Sequence, residues 1–181
     1  VISSVEHPSV YTLTGELERR GFEVVLSPPT EEGFYDAVDK ITVLVSAMQV
    51  NNETGLILPV CKMREIIAQK QSKALLHIDA VQAFLRLPTH VKKLGCDLLT
   101  VSAHKIHGPK GIAALYVKKG TKLSPLLFGG GQESALMPGT YNHIAAAGFA
   151  KAIELYDSAA AKAQLKALCN YFTDRLSDIS F

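Results

Sequence analysis

The sequence has almost no excess of positive or negative charge, and it has no long hydrophobic run. Lys and Arg number 19 against 17 Asp and Glu, which gives a net charge of +2. That charge is too small to indicate a nucleic-acid partner, and no basic cluster alternates with aromatic residues. The apolar runs at 41–45 and 112–117 have the length of strands and are far shorter than the roughly 20 residues of a membrane span. We therefore expect neither nucleic-acid nor membrane binding.

Paired cysteines and a leader segment are also missing. Cys61, Cys96 and Cys169 are an odd number at wide spacing, which matches neither a disulfide framework nor a zinc site. A reducing, cytoplasmic setting is therefore expected. The first residues show no basic start followed by an apolar segment, as a signal peptide would. Residues 1–4 instead resemble a β-strand, so we expect the chain to begin within a domain.

What the sequence does contain is an alternation of short apolar runs with helical patterns, typical of α/β units that feed a mostly parallel sheet. A composition of 48% hydrophobic and 20% charged residues fits a globular chain with a real core. Helices are predicted from Pro8 to Gly21, from Pro59 through Ile67, and in one or two stretches that run to the end. Strands are predicted at 1–4, 22–26, 41–47, 74–78, 98–101 and 112–117.

The polar segment 102–111 (SAHKIHGPKG) lies between two of these predicted strands. Ligands of α/β sheets bind at such strand ends. Lys105 could be an ordinary solvated side chain, but an amine that attacks an aldehyde needs a desolvated or cation-rich setting, which His104 and a bound cofactor could supply. Ser102 and His104 carry donors that suit a phosphate.

Asp79 follows the predicted strand 74–78, with Gln82 three residues later. An acidic residue at the end of a buried strand is costly unless it is paired, so Asp79 is a candidate partner for a cationic ring nitrogen. The alternative for Asp79 is a helix N-cap. Gln82 could donate to a phenolate oxygen of the same ring or lie on a helix surface.

Four segments together resemble the successive signatures of cysteine desulfurases, in that family's order and at similar spacing. They are residues 48–55 (MQVNNETG), 77–82 (HIDAVQ), 102–111 (SAHKIHGPKG) and 129–133 (GGGQE). The resemblance extends more loosely to selenocysteine lyases and class V aminotransferases. It implies a three-layer α/β/α fold with a mostly parallel sheet, the large domain of fold type I PLP-dependent transferases. Residues 1–141 would form the cofactor-binding part of that domain, and 142–181 a linking helix and the start of the small domain.

The resemblance also implies the cofactor, pyridoxal 5'-phosphate (PLP). Lys105 would form the Schiff base and later carry the substrate's α-proton, while Asp79 would pair with the pyridine nitrogen and Gln82 with the ring hydroxyl.

Further site residues follow from the same resemblance. Ser102 and His104 would hold the phosphate, and His7 would stack on the cofactor ring. Asn52 would lie beside the cofactor and the substrate carboxylate. Thr140 would reach the phosphate bound to a partner subunit, which implies a homodimer.

Taken alone, some of these residues favour plainer roles. His7 is then an N-terminal helix residue beside Pro8, and Asn52 is a turn residue before Gly55. Ser134 and Met137 stand where the family usually carries arginines, so the chemistry there is expected to differ. Cys61 and Cys169 lie in predicted helices, where we expect them to be small packing residues. None of the three cysteines matches the family's catalytic cysteine.

The activity implied is conversion of L-cysteine to L-alanine, with the sulfur moved to an enzyme cysteine as a persulfide, in iron–sulfur cluster biosynthesis. A sulfur-acceptor protein would be a further partner. The resemblance places the catalytic cysteine loop and a substrate-binding arginine after Phe181 and a phosphate loop before Val1, so we expect a fragment without desulfurase turnover. Two alternatives stay open: a selenocysteine lyase or other class V aminotransferase, and a truncated, non-catalytic cofactor-fold module.

Overall fold

The computed structural model describes residues 1–177 and 179, which form a six-stranded sheet with helices packed around it. The strands are β1 (Ile2–Ser3), β2 (Leu26–Ser27), β3 (Leu44–Met48), β4 (Leu75–Asp79), β5 (Leu98–Ser102) and β6 (Ala113–Val117). The α-helices are α1 (Pro8–Tyr11), α2 (Leu13–Arg19), α3 (Glu31–Ala37), α4 (Met63–Gln69), α5 (Val91–Leu94), α6 (His143–Leu155) and α7 (Ser158–Ser177). Short 3-10 helices lie at Val60–Lys62, Ala103–Ile106 and Gln132–Ala135. Positions 178, 180 and 181 of the predicted segment 142–181 lie outside the described residues.

The sheet order is β2-β1-β3-β4-β5-β6. β1 to β5 pair in parallel, and β6 pairs antiparallel with β5. Helices α3 and α4 pack against each other, as expected when right-handed crossovers place both on the same face of the sheet. The prediction of a mostly parallel α/β sheet is confirmed.

The core lies between the central strands and the helices α3 and α4. Strand residues that alternate toward this face are almost fully buried, and α3 and α4 cover them with Phe34, Met63, Ile66 and Ile67. Each such side chain contributes roughly 1.5–3 kcal/mol when it is fully buried. The strand members of this cluster include Val45, Ala47, Leu76, Ile78, Leu99 and Val101.

The first predicted helix and the strand after it differ from expectation. The helix is split at Thr12, whose hydroxyl donates to the Pro8 carbonyl at 2.7 Å. The predicted strand 22–26 was wrong in its bounds, because Gly21 adopts φ 86° and the Phe22 amide donates back to the Leu17 carbonyl at 3.1 Å. This is the hydrogen bond of a helix C-terminal cap, so Phe22 belongs to the cap that follows α2, and the strand begins only at Leu26.

Helix α3 was not predicted. Thr30 caps it by accepting a hydrogen bond from the Gly33 amide at 3.0 Å, and Glu31 and Glu32 occupy the first turn. A threonine followed by acidic residues is a recognised helix start. The neighbouring prolines and glycine favoured a loop instead, and α5, also missed, has only 4 residues.

Within residues 1–177 and 179, no helix combines the length and apolar character needed to cross a membrane. The same residues contain no group of three or more His, Cys, Asp or Glu side chains that could hold a metal ion.

Candidate active site

The carboxyl ends of the parallel strands meet at one edge of the sheet, called here the carboxyl edge. Met48 at the end of β3 pairs with Asp79 at the end of β4, and Asp79 pairs in turn with Thr100 of β5. The segments that carry the predicted site residues follow β1, β3, β4 and β5 directly. The topology therefore brings most of these segments to a single edge, where α/β sheets bind ligands.

Asp79 is buried at this edge, with 8% of its surface exposed. Its Oδ1 accepts a hydrogen bond from the Val81 amide at 2.9 Å, and no helix follows, because residues 81–86 form turns. The carboxylate therefore caps a turn. This role is similar to the helix N-cap considered for Asp79 from the sequence, although no helix follows. Among the residues that the structure describes, no basic side chain forms a salt bridge with Asp79. A buried carboxylate without a cationic partner is costly, so this end of β4 favours a cationic ligand.

Glu6 is a second buried carboxyl at the carboxyl edge and was not predicted. It is 7% exposed, and its Oε1 accepts a hydrogen bond from the Met48 amide at 2.5 Å. Its Oε2 is buried without a hydrogen-bond partner in the described residues. Burial raises the pKa of Glu6 to about 7, although the Met48 amide opposes the rise, and the charge of Asp79 adds to it. No local pattern marks Glu6, because its contact is with Met48, 42 residues further along the chain.

A row of polar side chains lies on the sheet face that carries Asp79. Ser46 Oγ lies 2.8 Å from His77 Nδ1, and His77 Nε2 lies 2.9 Å from Thr100 Oγ1. Burial lowers the pKa of His77, while the charge of Asp79 partly opposes this. The imidazole is therefore neutral at pH 7 and links three strands beneath the carboxyl edge.

Lys105 lies in the 3-10 helix Ala103–Ile106, in the connection from β5 to β6. Its side chain is half-buried and makes no hydrogen bond within residues 1–177 and 179. Ser102 Oγ and His104 Nδ1 lie 2.8 Å apart, so the two predicted phosphate-binding groups are adjacent. Asp79 lies on the neighbouring strand β4. The segments at this edge thus carry a buried carboxylate (Asp79), an amine without a hydrogen bond in the described residues (Lys105) and a hydroxyl–imidazole pair (Ser102 and His104).

Helix α6 packs against the Lys105 turn. A Cβ atom added to Gly108 would lie 3.0 Å from the Ala103 carbonyl oxygen and 3.2 Å from Ala152 Cβ of α6. A side chain at position 108 would therefore push the turn and the helix apart. His107 precedes this glycine with φ 66°, a conformation that non-glycine residues seldom adopt.

Gln82 is half-buried in the turn after Asp79. Its carbonyl accepts a hydrogen bond from Arg86 Nη1 at 3.1 Å, and the second terminal nitrogen of Arg86 donates to the Lys105 carbonyl at 2.5 Å. Arg86 was not predicted, because nothing in its local pattern marks it.

His7 and Asn52 occupy the plainer positions considered for them. His7 is exposed and caps α1, with its Nδ1 accepting a hydrogen bond from the Ser9 amide at 3.1 Å. Asn52 is exposed in a turn, and its neighbour Asn51 is the buried residue. Asn51 Nδ2 donates to the Val5 carbonyl at 2.8 Å, which joins the turn after β3 to the segment after β1.

Thr140 is exposed in the stretch between β6 and α6. Within the described residues, no hydrogen bond connects its side chain to the carboxyl edge.

The two cysteines for which a packing role was expected do not have one. Cys96 is buried, but Cys61 and Cys169 are exposed, so the expectation that they are packing residues was wrong. Cys61 faces outward from a 3-10 turn, and α7, which carries Cys169, buries none of its residues. A helical position alone does not tell which face of the helix is covered.

Comparisons with known proteins agree with these observations. Cysteine desulfurase IscS of Dictyoglomus turgidum is 44% identical over 161 residues, which are 86% of this chain and 40% of that protein. A solved NifS-like protein is 39% identical with a TM-score of 0.80, covering 85% of this chain and 44% of its own. The structure described as SspA in complex with cysteine is 32% identical with a TM-score of 0.82, and the match covers 94% of this chain and 52% of that one. The chain spans about 40% of the length of the curated relatives it matches.

The fold agreement with these NifS-like structures confirms the predicted fold class. The family model for aminotransferase class V matches residues 1–181, which also confirms the resemblance inferred from the four sequence segments. The chain belongs to the aminotransferase class V family.

Proposed function

We propose that this chain is the PLP-binding part of a cysteine desulfurase, which converts L-cysteine to L-alanine and passes the sulfur to a cysteine thiol. The observation that carries the proposal is the buried carboxylate of Asp79, which forms no salt bridge within the described residues and lies at the strand end beside the strand that leads to Lys105. The names of the relatives favour L-cysteine as the substrate over the selenocysteine and aminotransferase alternatives.

The residues at the carboxyl edge fit this cofactor by the chemistry of their groups. Asp79 offers an uncompensated anion for the pyridine nitrogen, and Gln82 a side-chain amide for the ring hydroxyl. Ser102 and His104 offer a hydroxyl and an imidazole for the phosphate. Lys105 offers an amine that no other group in the described structure occupies.

When bound, PLP would supply an electron sink for the reaction at the α-carbon of the substrate. Lys105 Nζ would attach the cofactor and take up the α-proton. The carboxylate of Asp79 would hold the pyridine nitrogen. Because Asp79 is buried, its charge would act on that nitrogen more strongly than it would in water.

His7 and Asn52 are proposed to complete the site. His7 lies on the segment after β1, which the Asn51 side chain ties to the turn after β3. The turn that carries Asn52 is thus held against the segment that carries His7. We propose that the His7 ring stacks on the cofactor and that Asn52 lies beside it and the substrate carboxylate.

Partners and domains are extensions of the same proposal. Thr140 is exposed, and its side chain makes no hydrogen bond to the carboxyl edge within the described residues, which suits a role toward a second copy in a homodimer. A sulfur-acceptor protein is proposed as a further partner, and the cytoplasm as the location.

Residues 1–141 would form the large-domain part. In 142–181, α6 reaches the core through Phe149, while α7 buries no residue, as expected of a linking helix and the start of another domain.

Titration of the chain with PLP, followed by visible absorbance, tests the proposal. We expect the absorbance band of lysine-attached cofactor in the wild type and in Lys110→Ala, and no band in Lys105→Ala. Lys110 is the matched control because it lies exposed in the same segment. A band of equal size in Lys105→Ala would exclude the assigned lysine, and its absence from all three proteins would favour the non-catalytic module.

A further inference from the structure

The guanidinium of Arg86 joins the two turns that carry the proposed cofactor residues. Nη1 donates to the Gln82 carbonyl at 3.1 Å, and Nη2 donates to the Lys105 carbonyl at 2.5 Å. Arg86 is half-buried and forms no salt bridge among the residues described. The Arg86 guanidinium thus donates to two backbone carbonyls, one in the turn after β4 and one in the turn after β5.

The backbone before Arg86 adopts a costly conformation. Leu85 has φ 62°, and a left-handed conformation costs roughly 1–2 kcal/mol for a residue with a Cβ atom. Packing holds it there, because the Leu85 side chain lies against the core and its carbonyl accepts a hydrogen bond from Ser158 Oγ at 2.7 Å. This turn directs the Arg86 side chain toward the β5–β6 connection.

The Lys105 turn has few bonds of its own. It is a 4-residue 3-10 helix, a short element with poorer hydrogen-bond geometry than an α-helix. The His107 and Gly108 amides both donate to the Ala103 carbonyl, which leaves the Lys105 carbonyl to Arg86. A rigid guanidinium fork holds two acceptors at a fixed separation, whereas a lysine ammonium on a flexible stem does not.

We propose that Arg86 is a positioning residue that fixes the Lys105 turn relative to the Gln82 turn and so directs the lysine amine toward the carboxyl edge. This inference rests on the proposed function, since the value of the positioning depends on Lys105 attaching the cofactor. It also makes a claim about the cofactor-free chain, namely that Arg86 orders residues 103–108.

The test compares wild type, Arg86→Met, Arg86→Lys and the control Lys110→Met, which removes a positive charge from the same segment. Hydrogen–deuterium exchange of the PLP-free chain reports the order of residues 103–108. In parallel, borohydride trapping gives the fraction of bound PLP that is attached to Lys105, relative to total PLP bound. That ratio separates positioning from a general loss of folded protein.

In Arg86→Met we expect exchange at residues 103–108 to rise. The ratio of lysine-attached to unattached bound PLP should fall at least about tenfold, since charge-assisted hydrogen bonds are lost. Arg86→Lys should restore little of either, and Lys110→Met should match the wild type. Full rescue by lysine would show that charge alone matters and would overturn the proposal, as would unchanged exchange and trapping in Arg86→Met.

If Arg86→Met is unfolded by circular dichroism, Arg86→Lys decides by the same two readouts. If wild type traps no PLP, the proposed function fails, and the exchange measurement still decides whether Arg86 orders the turn.

Discussion

Replacing Glu6 with glutamine is expected to change how the free energy of unfolding depends on pH. Glutamine keeps the shape of the side chain and can still accept the hydrogen bond from the Met48 amide. It removes the ionisable group. Any difference in pH dependence between wild type and Glu6→Gln therefore reports the protonation of Glu6.

The sign and size follow from the pKa of Glu6, which rises from an ordinary value of 4.5 to about 7 on folding, with burial as the main cause. Between these two values the folded chain holds the proton that the unfolded chain releases. The contribution of Glu6 to stability is therefore complete below pH 4.5, declines as the pH rises, and is lost above about pH 7. A rise of that size corresponds to on the order of 3 kcal/mol in total.

Urea unfolding at pH 5 and pH 8 measures the effect. Relative to wild type, Glu6→Gln should gain about 2 kcal/mol of stability at pH 8 compared with pH 5. His77 and the other titrating groups are present in both proteins and cancel to first order. The exposed variant Glu18→Gln, whose side chain makes no hydrogen bond within the described chain, should show no such gain. An equal difference between Glu6→Gln and wild type at both pH values would refute the reasoning.

Three further outcomes are expected. Asp97→Asn should lower the free energy of unfolding by about 2 kcal/mol in urea, because the hydrogen bonds from Arg64 and Lys118 lose their charged acceptor. The exposed variant Asp36→Asn should change it little, and equal losses would contradict this. Thr30→Ala should cost about 1 kcal/mol in the same assay, since the cap of α3 is lost, whereas Thr30→Ser should keep most of it. Ellman's reagent should react quickly with the two exposed cysteines and with Cys96 only after unfolding, because Cys96 is 2% exposed and burial raises its pKa. Rapid reaction of all three thiols in the folded chain would contradict the buried position of Cys96.

The parts of the fold that could be predicted are those whose signal is local. β3, β4 and β5 are short, mostly apolar runs, as expected of largely buried strands in a parallel sheet. The Lys105 turn is marked by polar residues and glycines between two such runs. Helix ends were harder to predict, since Thr12 and Phe22 act through single hydrogen bonds that a periodic pattern does not contain.

The sequence named candidate site residues from local patterns and did not name residues whose contacts lie far along the chain. Asp79 and Lys105 were named because each follows or lies near the end of a predicted strand. Glu6 and Arg86 contact backbone far along the chain, and Arg86 reaches across from the turn after β4 to the turn after β5. Such contacts depend on the packed arrangement, so a single sequence without that arrangement does not reveal them.

The antiparallel pairing of β6 with β5 has a consequence for the order of folding. Ser102 and Ala113 pair across a hairpin that contains Lys105, whereas Met48 and Asp79 pair only after a crossover through α4. Contacts close in sequence form at lower entropic cost than distant ones. We expect amides of the β5–β6 hairpin to be protected earlier than those of β3 in pulse-labelled refolding, so the lysine turn would exist before the edge that completes its site.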